Sequence, residues 1–429
     1  MKKNINKLSK SHFVRNVTVM ATGAAGAQAI TIALSPIITR LYGPEAFGIM
    51  GTFTALTSII IPVAALTYPI AIVLPKSDKN AKGLIKLSIF VTLIIAFLTT
   101  IILLFFKNSI LEAFQIEGIS SFLYLIPLVI IFAGLMQVSE QWLIRTNQFS
   151  INAKANFMQS VVVNGGKVGI GLIYPTATVL VALQATGNGI KALMMIIFAK
   201  RSDYKGEMQP QERGDSVKKL AKKHRDFPLY RAPEEFFSAI SQNIPILFLT
   251  SFFGPAAAGF YNIGKTVLSL PSRLIGQSIG DVFYPRISEA ANNGESLNRL
   301  IIKATLALGA IGIIPFGTVI MFGPWLFEFV FGEGWNVAGE YSRWISLASF
   351  SVFMNKPSVR AIPVLALQRL YLFFSIIRLI IRSSALIVGF VVFDSDVIAI
   401  ALFGITGALL NAVLILSTIK ISKKLYKSN

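Results

Sequence analysis

The sequence predicts an all-α integral membrane fold, with about twelve transmembrane helices in two six-helix bundles related by a parallel repeat. Three observations carry that prediction. The 429 residues are 54% AVILMFWYC and only 14% charged, apolar runs long enough to cross a bilayer recur along the chain, and a short motif returns half a chain later. Soluble chains keep about 25% charged residues and need them to cover their outside, so lipid is the solvent for most of this chain. The 40 Lys+Arg against 20 Asp+Glu leave a net +20. That excess would point to nucleic acid if it clustered on a polar face. It sits between apolar runs instead, as a membrane charge bias does, and no nucleic-acid partner is expected.

A bilayer core needs about 20 predominantly apolar residues per helix. Such runs lie near 14–39, 47–73, 84–106, 119–143, 156–174, 177–199, 236–252, 257–284, 299–321, 337–355, 370–392 and 397–419. The fifth is the least apolar, because Asn164, Gly165, Gly166 and Lys167 occupy its middle. The domain plan is a bundle over 1–199, a basic cytoplasmic linker over 200–235 and a second bundle over 236–429.

Orientation follows from where Lys and Arg fall. An N-terminus in the cytoplasm places Lys2, Lys3, Lys7, Lys10 and Arg15 inside, with Lys76, Lys79, Lys82 and Lys86 in the second loop. It also places inside the ten basic residues from Lys200 to Arg231 and the tail lysines 420, 423, 424 and 427, leaving only Arg40 and Lys107 outside. Both termini are therefore expected in the cytoplasm. A signal peptide cleaved near Ala27-Gln28-Ala29 is the competing reading of the N-terminus. The repeat argues against it, because its second copy also has a full span ahead of the matching turn.

That repeat pairs Leu41-Tyr42-Gly43-Pro44-Glu45-Ala46-Phe47-Gly48 with Phe252-Phe253-Gly254-Pro255-Ala256-Ala257-Ala258-Gly259 at an offset of 211. Each copy joins the first and second spans of a six-span half, where Gly-Pro ends one helix and turns the chain. Chance similarity in a Gly- and Ala-rich chain is the bland alternative, but an offset of half the chain favours duplication. An even number of spans gives both halves one orientation, the parallel plan with a path for substrate between the bundles.

No cysteine is present, so disulfides, thiolate catalysis and Cys-ligated metals are excluded. The two histidines, His12 and His224, have no metal-ligand partner at helical spacing, and neither a metal nor a cofactor is expected. Gly259 to Thr266 spells the P-loop pattern G-x-x-x-x-G-K-[ST], which means something only between a strand and a helix of a nucleotide domain. Here it opens an apolar span and reads as accidental. Within the linker, Val217, Leu220, Ala221 and His224 fall at i, i+3, i+4 and i+7. Two readings stay open there, a basic amphipathic helix on an anionic leaflet and a solvated connection.

The informative residues are cations inside spans, because a charge at membrane depth is costly unless it faces a cavity. They are Lys167, Lys191, Lys265, Arg273, Arg343, Arg378 and Arg382, opposed by Asp281 and, near a span end, Glu140. Tyr261, Lys265, Ser269, Arg273, Gln277 and Asp281 recur every four residues as one polar stripe. Arg378 and Arg382 are one turn apart, and Asn156, Gln159, Ser160, Asn164 and Lys167 share a face. For Lys191 and Arg343 an ion pair or snorkelling is as good a reading as a cavity. The candidate substrate contacts are therefore Lys167, Lys265, Arg273, Arg378, Arg382 and Asn164, with Asp281 a candidate for ion coupling.

The stretch His224-Arg225-Asp226-Phe227-Pro228-Leu229-Tyr230-Arg231-Ala232-Pro233, then Ser241-Gln242-Asn243-Ile244-Pro245, then Leu270-Pro271-Ser272-Arg273 on to Phe283-Tyr284-Pro285, resembles bacterial polysaccharide biosynthesis flippases of the Wzx type. Arg40 to Gly48 and Arg145-Thr146-Asn147-Gln148-Phe149 fit the same family. The resemblance implies a transporter in a superfamily that also holds drug/cation antiporters and the lipid II flippase. It implies movement of undecaprenyl-pyrophosphate-linked oligosaccharide across the bacterial inner membrane by alternating access, with a polysaccharide polymerase and a chain-length regulator as partners beside the membrane lipids. A cationic cavity suits that cargo. The antiporters instead rely on membrane-embedded acids, and the first span, 14–39, has no Asp or Glu. A multidrug/cation antiporter is the alternative reading. An enzyme is not expected, since a membrane glycosyl transferase needs acid/base or metal-binding residues in a sizeable outer loop.

Overall fold

The computed structural model describes residues 12–427 apart from 76, 115, 203–213, 275–282, 284–285, 292 and 366. Helix α1 (His12–Ile60) runs through two expected spans, as α7 (Ala232–Leu274) does for the seventh and part of the eighth. Each is two helices joined at a glycine. Gly43 has φ 69° and ψ 172°, and Gly254 has φ 84° and ψ 175°. The proline that follows each drives ψ to extended values, and positive φ with extended ψ is a region that glycine alone occupies comfortably. A Cβ at either position would meet nothing within 4 Å, so the need for glycine is conformational. The sequence repeat is thus a repeat of backbone geometry.

The remaining helices are α2 (Asp78–Phe114), α3 (Ile126–Arg145), α4 (Phe149–Gly171), α5 (Ala177–Lys200), α6 (Val217–Lys223), α8 (Leu297–Phe331), α9 (Asn336–Met354), α10 (Lys356–Ala361), α11 (Gln368–Phe393) and α12 (Asp396–Lys427). No strand occurs among the described residues. Eight described stretches are long and apolar enough to cross a membrane, and two of them, of 42 and 46 residues, contain the Gly43 and Gly254 bends. At 1.5 Å per residue each of these is about twice a bilayer core, which brings the crossings to ten. Helices α4 and α9, 23 and 19 residues long, complete the twelve. Both are long enough to span but carry polar side chains that are buried, Asn152, Ser160, Asn164 and Lys167 in α4 and Ser342 and Ser346 in α9.

The core is apolar, with Phe53, Phe316, Phe327 and Trp335 fully buried, but so is much of the exterior. Phe97, Phe105, Ile314, Phe329 and Val391 are among the most exposed apolar side chains, whereas Thr39, Thr52, Ser88, Ser342, Ser346 and Asn411 are buried. Lipid favours that exterior, and Thr39 and Thr52 satisfy their hydroxyls on their own helix, donating to the Ser35 carbonyl at 3.0 Å and the Gly48 carbonyl at 2.9 Å, whereas the Ser88, Ser342 and Ser346 hydroxyls have no hydrogen-bond partner among the described residues.

Two compact units, Met1–Leu247 and Phe248–Asn429, divide the chain. In the first, α1 packs on α4 and α5, while α3 packs on α2 and α5. In the second, α9 packs on α8 and α12, and α11 on α12.

The apolar face of α6 departs from both readings made of it. Leu220 is 1% exposed in a cluster with Tyr68, Ile72, Ala81, Leu84 and Val138. Ser216 caps the helix by accepting from the Lys219 N–H at 3.3 Å. Asn80 accepts from the Asp215 N–H at 2.7 Å, and Thr67 donates to the Phe227 carbonyl at 3.0 Å. Gly83 leaves the space Leu220 fills, since a Cβ there would lie 2.5 Å from Leu220 Cδ1. Leu220, and in part Ala221, are covered by protein from 68–87 and Val138, while Val217 at the head of the stripe stays exposed.

Candidate functional site

Carboxylates sort the intramembrane cations into two groups. Lys191 lies 3.9 Å from Glu140, which also accepts from Asn152 at 3.1 Å. Arg343 pairs with Glu340 at 3.0 Å and donates to the Met321 carbonyl at 3.2 Å. Glu340, inside the tenth span, was not among the acids recognised from the sequence, although its spacing of three residues from Arg343 was a signal for it. These two cations are structural ion pairs.

Lys167 has no such partner among the described residues. It is 7% exposed on α4, where Nζ donates to Gln184 Oε1 at 3.1 Å and lies 3.7 Å from Met50 Sδ. The Tyr42 hydroxyl, one residue ahead of the Gly43 bend, donates to the Lys167 carbonyl at 2.7 Å and fixes α4 against α1. One turn back, Asn164 donates to the Ser160 carbonyl at 2.9 Å and to Thr31 Oγ1 at 3.2 Å, and Ser160 donates to the Ala27 carbonyl at 2.8 Å. Asn164 thus helps bind α1 to α4. A cavity of about 220 Å³ beside this cluster is lined by Thr57, Ser58, Gln159, Gln184 and Asn188 among others. Gln184 therefore joins a buried ammonium to a cavity walled by neutral amides and hydroxyls.

In the second unit Arg382 of α11 lies with its guanidinium 3.7 Å from the centre of the Phe403 ring on α12. That is a cation–π contact. Gly407 makes the room, since a Cβ there would sit 3.1 Å from Arg382 Nε. The Nε is buried and has no hydrogen-bond partner. Arg378, one turn earlier, and Tyr261 of α7 are both close enough to act on Arg382 electrostatically. The structure thus brings Arg378, Arg382 and Tyr261 together without a carboxylate among the described residues.

On α7 the stripe starts as expected, with Tyr261 buried and Lys265 and Ser269 half-buried. Arg273 lies in the last turn of the described helix, while Gln277 and Asp281 fall outside the described residues. The P-loop look-alike is helical throughout. Gly264 faces Ser342 of α9, where a Cβ would lie 2.5 Å from the hydroxyl, and Thr266 donates to the Asn262 carbonyl at 2.8 Å. A helix has already spent the N–H groups that a phosphate cradle needs.

Gln184, Tyr42, Thr31 and Phe403 escaped the sequence reading, because a neutral polar or aromatic residue in a span carries no electrostatic flag. At the start of α12, Asp396 accepts from the buried Tyr341 hydroxyl and so anchors α9.

A family model described as "Polysaccharide biosynthesis protein" matches residues 37–340. No curated protein matches the chain in sequence. Among solved structures, an inward-facing multidrug resistance MATE family transporter of the MOP superfamily aligns at a TM-score of 0.73 and 14% identity, over 97% of this chain and 99% of that one. The lipid II flippase MurJ in an inward closed conformation aligns at 0.69 and 14%, over 94% and 87%. A MOP superfamily transporter from Pyrococcus furiosus, described by a reversed polarity of its binding pocket, aligns at 0.60 and 14%, over 97% and 96%. At these identities the likeness is one of fold. This multi-pass membrane chain, built on the fold of MOP superfamily transporters, belongs to the polysaccharide biosynthesis protein family.

Proposed function

We propose that the protein is a flippase carrying undecaprenyl-pyrophosphate-linked oligosaccharide units across the bacterial cytoplasmic membrane by alternating access, for O-antigen, capsule or exopolysaccharide synthesis. The observation that supports this most is a pair of intramembrane cations, Lys167 and Arg382, whose neighbours among the described residues are neutral or cationic. A buried charge without a counter-charge is strongly unfavourable, and a pyrophosphate in transit supplies the missing anion. Arg382 presents a planar donor fork suited to phosphate oxygens. Lys265, Arg273 and Arg378 complete the cationic path, Asn164 braces the helix that carries Lys167, and Asp281 couples an ion. The neutral amides and hydroxyls beside Lys167 suit sugar hydroxyls. In this reading residues 1–199 and 236–429 are the two bundles, 200–235 joins them on the cytoplasmic side, both termini are cytoplasmic, and a polymerase and a chain-length regulator receive the cargo. Export of cationic drugs fits less well, since the uncompensated charges repel such a cargo.

The test neutralises Lys167, Lys265, Arg273, Arg378 and Arg382 singly to Gln. Surface polysaccharide should fall while the amount of protein in the membrane holds. Wild-type polysaccharide in every variant at matched expression would refute the anionic-cargo mechanism.

A further inference from the structure

A second feature of the first unit points to a ligand other than the cargo. Helix α3 packs on α2 and on α5. Glycines draw the three together near mid-span: Gly134 of α3 faces Thr92 of α2, and Gly189 of α5 faces the Phe132 ring of α3, each closely enough that a Cβ would collide. Beyond these contacts, toward the start of α2 and the ends of α3 and α5, a groove of about 460 Å³ opens. Ile85, Ile89, Trp142 and Ala199 are among the side chains of its largely apolar wall, and Lys82 and Lys200 stand at its mouth. Both lysines are exposed, and neither forms an ion pair among the described residues. The nearby Arg145 is committed to Asp78 at 2.8 Å and contributes no free charge.

We infer that this groove is a binding site for an anionic phospholipid, its phosphate held by Lys82 and Lys200 and one acyl chain laid along Ile85 and Ile89. From Lys82 to Ile89 the helix rises about 10 Å, enough for the upper part of a chain. An apolar trough closed at depth and flanked by two unpaired ammonium groups at the surface matches an amphiphile with a charged head, and basic pockets between transmembrane helices bind such headgroups. A neutral lipid leaves both lysines unpaired, and a soluble anion leaves the apolar wall bare. The site does not depend on the transport reading. In the orientation proposed above it lies in the cytoplasmic leaflet.

The test is native mass spectrometry of the purified full-length protein, with phosphatidylglycerol or phosphatidylcholine of identical acyl chains added. Phosphatidylglycerol should stay bound where phosphatidylcholine is lost. The double variant Lys82→Gln/Lys200→Gln should reduce its retention about tenfold or more, and Ala199→Phe, which fills the groove and keeps both charges, should also reduce it. Lys218→Gln/Lys222→Gln, which removes the same charge from the exposed face of α6, should change nothing. Equal retention of the two lipids, insensitivity to the Lys82/Lys200 change, or an equal loss in the α6 control would each overturn the site. Retention of a polyprenyl diphosphate in place of phosphatidylglycerol would overturn the phospholipid assignment and make the groove part of the cargo route.

Discussion

Gly43 and Gly254 hold the same bend, 211 residues apart, with φ/ψ of 69°/172° and 84°/175°. Alanine at either position has room for its Cβ but must enter a backbone region costing about 1–3 kcal/mol. Gly43→Ala and Gly254→Ala should therefore lower the unfolding temperature of the purified protein by similar amounts. A loss at one site only would separate the two bends in energy despite their shared geometry.

The contact of α8 with α9 rests on a different use of glycine. A Cβ on Gly339 would run into the carbonyl of Gly323, and a Cβ on Gly323 would lie 2.6 Å from the carbonyl of Gly339. Backbones this close tolerate no methyl, and forced overpacking costs about 1–3 kcal/mol. Alanine at either position should lower stability in detergent, whereas Gly317→Ala, which meets nothing within 4 Å, should not. Equal stability of all three variants would count against the close approach.

Docking of the 214–231 segment should weaken in mild acid. Burial first, and Lys223 second, hold the His224 imidazole below its ordinary 6.5. A proton therefore binds more readily to the undocked form, so the contribution of His224 is complete above 6.5 and declines as pH falls through that value. Asp215 is held low by its hydrogen bond to Lys219, and its contribution is lost only in stronger acid. Protection factors of the 217–227 amides, taken relative to the intrinsic base-catalysed exchange rate at each pH, should be lower at about pH 5.5 than at about pH 7.5, and His224→Gln should flatten the difference. An unchanged pH profile in that variant would assign the effect elsewhere.

With no native cysteine, single cysteines report topology directly. A cysteine at Lys222 should resist a membrane-impermeant maleimide in intact cells, and one at Asp394 should react. The reverse pattern would invert the proposed orientation.

The bends were legible because Gly-Pro is punctuation that survives in the sequence whatever surrounds it. The twelve spans were legible because lipid demands length and apolarity at once. Partnership across the sequence was not. Leu220 reads as a residue in search of a cover, and nothing nearby says that the cover is Tyr68, Ile72 and Leu84. Lys191 and Arg343 look like Lys167 and Arg382 on paper. Only the positions of Glu140 and Glu340 on one side, and of Gln184 and Phe403 on the other, separate paired from unpaired charge.

The buried polar faces of α4 and α9 bear on how the chain enters the bilayer. Neither helix is apolar enough to be stable alone in lipid, because Asn164 and Lys167, or Ser342 and Ser346, would face hydrocarbon. Each packs on a helix made before it, α4 on α1 and α9 on α8. By the time α4 leaves the ribosome, the Ala27 carbonyl and Thr31 hydroxyl that satisfy Ser160 and Asn164 are already in place. The order of synthesis thus supplies each reluctant segment with its receptor, and a chain permuted to start at α4 is expected to stall at insertion, although every contact of the finished fold would still be encoded.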